Sequence, residues 1–191
     1  IGVTVVTASG ANVYLGYTGT LDNKIVYRST DNGDTWTKAT CTGIPSYYFP
    51  AAMIIVGSKL LMSTSYLLGG GKMFASTDGG ENWSESGTGL PANVVVAYFT
   101  MKGSDIYAAS SIISTVKGVY KSTDNGANWT ATTLASSNTV NGLTSNSVGI
   151  FASTNLNGVH RSTDDGASWT KINPNSSTNF ATSVIATNSN L

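Results

Sequence analysis

The sequence is poor in cysteine, proline and charge. Cys41 is its one cysteine. That excludes an internal disulfide and a multi-cysteine metal cluster, and leaves the reading of a small buried hydrophobe. Only 10% of residues are charged, against about a quarter in an average soluble domain. The ten basic and ten acidic residues cancel, and no basic stripe exists to neutralise phosphates, so a nucleic-acid partner is not expected. A membrane-spanning helix needs about 20 consecutive apolar residues. The longest apolar runs, Ala51–Val56 and Val94–Phe99, have strand length, so membrane insertion is not expected either. The chain opens on Ile1, with no signal peptide in sight.

Ser, Thr, Asn and Gly take the place of charge at the polar positions. Such a surface points to a secreted or cell-surface protein. Aliphatic and aromatic residues are frequent enough to fill a core, so the chain is not a disordered one.

Self-similarity organises the rest. Four segments align without gaps: Ser29-Thr-Asp-Asn-Gly-Asp-Thr-Trp36, Ser76-Thr-Asp-Gly-Gly-Glu-Asn-Trp83, Ser122-Thr-Asp-Asn-Gly-Ala-Asn-Trp129 and Ser162-Thr-Asp-Asp-Gly-Ala-Ser-Trp169. The Trp-to-Trp spacings are 47, 46 and 40 residues, the length of a four-stranded propeller blade. Tyr27, Phe74, Tyr120 and His160 stand four positions before each Asp. They alternate with neighbours as in a strand with one face buried.

The expected fold is therefore all-β: a propeller with four consecutive four-stranded blades, at approximately 1–41, 50–87, 93–134 and 139–173. Third strands are expected at Lys24–Ser29, Lys72–Ser76, Gly118–Ser122 and Gly158–Ser162, with the fourth starting at each Trp. Second strands are expected at Asn12–Tyr17, Lys59–Ser65, Asp105–Ser110 and Val148–Thr154. Inner strands are expected at Gly2–Thr7, Ala52–Val56, Val94–Thr100 and Val140–Thr144. Pro45, Pro50, Pro91 and Pro174 should fall in the connections after the fourth strands, because proline cannot donate to a ladder. Residues 180–191 match an inner strand and its turn, so the start of a fifth blade is expected there. The segment then reads as part of a larger propeller, with further blades of the same chain or another copy at its open ends.

Each repeat has the chemistry of a fastened hairpin. Asp31, Asp78, Asp124 and Asp164 can accept backbone N–H bonds from the residues that follow. Gly33, Gly80, Gly126 and Gly166 sit where a positive φ is needed. Ser29, Ser76, Ser122 and Ser162 can close the turn, and Trp36, Trp83, Trp129 and Trp169 fold over it. The acids are structural on this reading. The Asp31–Asp34 spacing resembles a calcium loop only in part, because the alternating oxygen ligands and distant bidentate Glu are missing. No metal and no cofactor are expected.

These boxes make the chain similar to the Asp-box (bacterial neuraminidase repeat) propellers. That superfamily includes sialidases, xyloglucan-active hydrolases, sortilin-type receptors, photosystem II assembly factors and bacterial surface proteins. The resemblance implies the fold; function has to be argued from the site. Sialidases hold the substrate carboxylate with three arginines, and this chain has two, Arg28 and Arg161, both directly before a box. A xyloglucanase needs two facing carboxylates. Outside the boxes stand Asp22, Glu85 and Asp105, of which Glu85 and Asp105 read as solvated edges. His160 takes the place of an aromatic and reads as a packed strand residue. No catalytic residue is assigned, and these residues form no complete active site.

What remains is binding. The connection Thr42–Pro50 carries Tyr47, Tyr48 and Phe49, which can stack on a sugar face, anchor a protein partner, or plug the gap between blades. Tyr66-Leu-Leu-Gly-Gly-Gly71 and Ser111–Val116 are further apolar loops on the same expected face. The candidate ligand-binding residues are Tyr47, Tyr48, Phe49 and Tyr66. The expected function is a non-catalytic propeller module that binds a protein or glycan, or acts as a scaffold. The alternative is part of a glycoside hydrolase whose catalytic residues lie elsewhere.

Overall fold

Four antiparallel sheets follow one another along the chain, each built from four consecutive strands. The first holds β1 (Gly2–Ser9), β2 (Asn12–Thr18), β3 (Val26–Ser29) and β4 (Thr37–Lys38). The second holds β5 (Tyr48–Val56), β6 (Lys59–Tyr66), β7 (Met73–Ser76) and β8 (Ser84–Ser86). The third holds β9 (Val96–Lys102), β10 (Asp105–Ser110), β11 (Val119–Ser122) and β12 (Thr130–Ala131). The fourth holds β13 (Val140–Ser145), β14 (Ile150–Thr154), β15 (Gly158–Ser162) and β16 (Thr170–Lys171). This is a computed structural model, and it describes residues 2–18, 25–110, 117–134, 139–155, 157–172 and 181–187. Asp22, the loop Ser111–Val116 and Pro174 lie outside the described residues.

Each sheet is a meander of neighbouring strands, the order of a propeller blade. The third strands end on the Ser of each box, and the fourth strands begin one residue after each Trp. Two sequence expectations need correction. Tyr48 and Phe49 belong to the inner strand β5, which starts four residues earlier than expected. Pro50 therefore lies inside a strand. It is tolerated there because the ladder shifts register between Pro50 and Ala52, and a bulge is where a strand can omit an N–H.

Residues 181–187 carry no ladder. They are held to the fourth sheet mainly by amide side chains: Asn141 Nδ2 donates to the Ala181 carbonyl at 3.0 Å, and Asn146 Nδ2 to that of Thr187 at 3.0 Å. Ala181 N–H also donates to the Thr154 carbonyl at 3.2 Å.

The chain divides into two compact units, Ile1–Gly87 and Thr88–Leu191. In the first unit, Tyr14, Ile25, Val26 and Ala39 of the first sheet cluster with Met53, Leu60, Met62 and Phe74 of the second. In the second unit, Tyr107, Ala109, Val119 and Leu134 cluster with Val140, Leu143, Ile150 and Ala152. Both cores are built from the same repeat positions, since Tyr14 and Tyr107, and Val26 and Val119, occupy equivalent places.

The same backbone clasp occurs once within each unit. In the first, Thr42 N–H donates to the Glu81 carbonyl (2.9 Å) and Trp83 N–H to the Thr42 carbonyl (2.8 Å). In the second, Thr88 N–H donates to Ala127 (3.1 Å) and Trp129 N–H to Thr88 (2.8 Å). Each clasp comes from a Thr-Gly-aliphatic-Pro sequence, Thr42-Gly-Ile-Pro45 or Thr88-Gly-Leu-Pro91. Glycine is required because a Cβ at Gly43 would stand 2.0 Å from the Trp83 carbonyl oxygen, and one at Gly89 2.2 Å from that of Trp129.

The exit of the third blade lacks this motif and takes another route. Thr133 N–H donates to the Gly166 carbonyl at 3.1 Å, and its hydroxyl donates to that of Ala167 at 2.8 Å. The Gly166 carbonyl is thereby claimed. In the other three boxes the matching carbonyl accepts the indole N–H; here Trp169 Nε1 is buried without a partner among the described residues.

Candidate functional site

The four boxes share one hydrogen-bond pattern. The Ser hydroxyl donates to Asp Oδ1 at 2.6, 2.8, 2.9 and 2.8 Å, in chain order. It accepts from the box Gly N–H at 2.9, 2.9, 2.9 and 2.8 Å. Asp Oδ1 also accepts the backbone N–H of Thr35, Asn82, Asn128 or Ser168. The side chains of those same residues bond Asp Oδ2.

This last position was missed in the sequence reading. Its signal is a short polar residue four after every Asp. A second missed signal precedes each glycine: Asn32, Gly79, Asn125 and Asp165 also have positive φ, and Asn, Asp and Gly are the types that tolerate it.

Every box carboxylate is saturated by donors, and all four are held at about 2 instead of 3.8. The Ser29 hydroxyl is the largest cause for Asp31, the backbone N–H of Asn82 and Asn128 for Asp78 and Asp124, and the Ser168 hydroxyl for Asp164. A depressed carboxylate contributes stability above its unfolded pKa and loses it as pH falls through the folded value. Denaturation midpoints are therefore expected to drop between pH 3.8 and about 2. Asp78→Asn should flatten that drop for the first unit. An unchanged profile in that variant would remove Asp78 from the acid response.

Of the acids outside the boxes, Glu85 and Asp105 lie among the described residues, and both are ion-paired. Glu85 is ion-paired with Lys72, and Asp105 with Lys121 at 2.8 Å. Both pairs lie at the surface, with the Glu85 side chain 60% exposed and that of Asp105 24%. His160 sits in β15 opposite Ala152 and Lys171. Among the described residues its buried Nδ1 has no hydrogen-bond partner, and burial, then the Lys171 charge, pushes the imidazole pKa down. Cys41 is buried and its thiol is pushed up by burial.

The aromatic candidates converge at one edge of the second sheet. Tyr48 and Tyr66 face each other as the terminal pair of β5 and β6. Their rings stack at 5.0 Å and 28°, and Tyr48 meets Phe74 edge-on at 6.0 Å. Phe49 pairs with Ser65 and is half-buried. Of these, Tyr48 packs against the core of the first unit.

Tyr47 differs. It is 54% exposed and held at φ 68°, a conformation costing an ordinary residue about 1–2 kcal/mol. Its carbonyl accepts the N–H of Leu67 (3.3 Å), and Tyr66 N–H bonds the Gly70 carbonyl (2.7 Å). Gly69 and Gly70, at φ 100° and 78°, let the turn double back. The turn thereby presents Leu67 and Leu68, 67% and 82% exposed. Tyr47, Leu67 and Leu68 form a solvent-facing apolar tip above the stacked tyrosines.

Sixteen strands in four such sheets, each locked by an Asp-box, define a β-propeller built of BNR/Asp-box repeats. A family model for the BNR/Asp-box repeat matches residues 27–38 and 74–85. The fold is similar to that of "YCF48 bound to D1 peptide" (17% identity, TM-score 0.60, covering 88% of this chain and 51% of that one). It is similar to YCF48 from Cyanidioschyzon merolae (18%, 0.62, 92% and 57%) and to an ancestral GH74 enzyme (24%, 0.63, 91% and 24%). The chain thus spans about half of the YCF48 structures and about a quarter of the GH74 enzyme. It has no match among curated proteins.

Proposed function

We propose that the chain is a non-catalytic propeller module that binds a protein partner at the tip formed by Tyr47, Leu67 and Leu68. The observation that carries this reading is the strained, exposed Tyr47 beside two exposed leucines on an ordered turn. Strain of that kind persists where it is useful, and clustered exposed apolar side chains mark interaction sites. A peptide suits the tip better than a sugar. Sugar platforms offer open aromatic faces, whereas Tyr48 and Tyr66 spend theirs on each other. Leucine side chains favour apolar partner groups. The peptide bound to the YCF48 structure gives the reading a precedent on a similar fold. The scarcity of charge supports an extracytoplasmic setting.

The alternative, part of a glycoside hydrolase, rests on the likeness to the GH74 structure. Lysine pairing of Glu85 and Asp105 counts against their use as an acid and base.

Peptides selected from a random library on the intact chain are the test. Leu67→Ser with Leu68→Ser should weaken their binding about tenfold or more, with the denaturation midpoint unchanged because both residues are exposed. Equal binding by the double variant would overturn the proposal. So would selective retention of oligosaccharides on a glycan array, or hydrolysis of one that Glu85→Gln abolishes.

A further inference from the structure

One set of repeat positions is filled differently in the two units. In the second unit it forms a closed charge cluster. Lys121 pairs with Asp105 at 2.8 Å, and Lys102 with Asp165 of the fourth box at 2.7 Å. Lys121 also lies over the Tyr107 ring at 5.8 Å. Both lysines thus have a carboxylate from the protein.

In the first unit, Arg28 and Tyr14 correspond to Lys121 and Tyr107. Asn12 stands at the Asp105 position, and Gly79 at that of Asp165. Both carboxylates are gone, and the cation of the third strand is kept. Arg28 reaches to the second box: a Cβ at Gly79 would stand 2.3 Å from its Nη1. Beside it lies a cavity of about 230 Å³, lined by Arg28, Thr30, Thr35, Thr37 and Glu81.

Glu81 is the one acid of that lining, and it is turned elsewhere. Its Oε2 accepts the Thr40 N–H at 3.0 Å and the Thr40 hydroxyl at 2.8 Å. These two donors, the N–H first, hold its carboxyl below the usual range, so it stands charged. Among the described residues no ion pair joins it to Arg28. The cavity wall therefore carries one positive and one negative group, unjoined, together with three hydroxyls.

We propose that this cavity binds a small α-amino acid as its zwitterion, with the carboxylate on Arg28 and the ammonium on Glu81. The ligand's carboxylate replaces the one that Asp165 supplies in the second unit. A guanidinium matches a carboxylate through two parallel N–H bonds. Glu81 keeps Oε1 for the ammonium. A dianion such as phosphate meets the Glu81 charge, and a plain amine meets that of Arg28. The volume lies below the roughly 300–1,000 Å³ of drug-sized sites, which restricts the ligand's side chain to a small one. The site shares no residue with the Tyr47 tip and does not depend on the role proposed for it.

The test titrates the intact chain with glycine at constant ionic strength, followed by NMR of the Arg28 Nε–H and the Thr30 and Thr37 amides. Millimolar glycine should shift these signals along a saturating curve. Acetate and methylamine each carry half of the zwitterion and should bind about tenfold more weakly or worse. Arg28→Gln and Glu81→Gln should each weaken glycine binding by a similar factor. Gly79→Asp restores the carboxylate of the second unit. The backbone accepts it, since Asp165 has φ 58° at the position where Gly79 has 76°. That variant should lose the response with its denaturation midpoint retained. Absence of a saturating shift in the parent chain would overturn the proposal. So would equal binding of acetate or phosphate, tighter binding of glucose, or undiminished binding by Gly79→Asp.

Discussion

Gly43→Ala is expected to destabilise the first unit by about 3 kcal/mol or more, and Gly89→Ala to do the same in the second. The estimate adds two costs. Gly43 and Gly89 have φ of 95° and 88°, which alone costs an L-residue about 1–2 kcal/mol. A new Cβ would then stand 2.0 or 2.2 Å from a tryptophan carbonyl oxygen. That oxygen is backbone and cannot swing aside. Relief requires withdrawing the exit loop, which breaks the two backbone bonds of the clasp Thr, each worth about 1 kcal/mol net. Gly57→Ala is the control: φ is 60° and nothing lies within 4 Å of its Cβ. It should cost only the conformational term, about 1–2 kcal/mol. Urea denaturation of the three variants decides the matter. Equal losses at Gly43 and Gly57 would show that the clasp contributes nothing.

The contrast between box and clasp explains what was legible in the sequence. A box closes on itself within eight residues, so Ser29, Asp31, Gly33 and Trp36 announce their own hydrogen bonds. The clasp joins Thr42 to Glu81 and Trp83. Its motif was present twice, 46 residues apart, but showed itself only as prolines in connections, because half of each bond lies in another blade. The same separation hid the fourth box's defect. Nothing within Ser162–Trp169 shows that Thr133 will take the Gly166 carbonyl. Strand ends were misjudged where pairing overrode composition. Aromatics before a proline read as loop, yet the β5–β6 ladder runs through a register shift to reach Tyr48 and Tyr66. Of the candidate site, the residue types were legible. Which aromatics are spent on packing, and which face solvent, depends on that register.

Phe74→Ala should cost about 3–5 kcal/mol, whereas Tyr27→Ala at the equivalent position should cost about 1–2 kcal/mol. Both lie on third strands, four residues before a box Asp, so backbone context and propensity cancel in the comparison. What differs is cover. Phe74 is fully buried, with Tyr48 edge-on against it. Tyr27 loses only its edge contact with Tyr17 and the weak attraction of Lys38. Denaturant titrations of the two variants measure the difference directly. Comparable losses would mean that the cover over Phe74 adds nothing to its contribution.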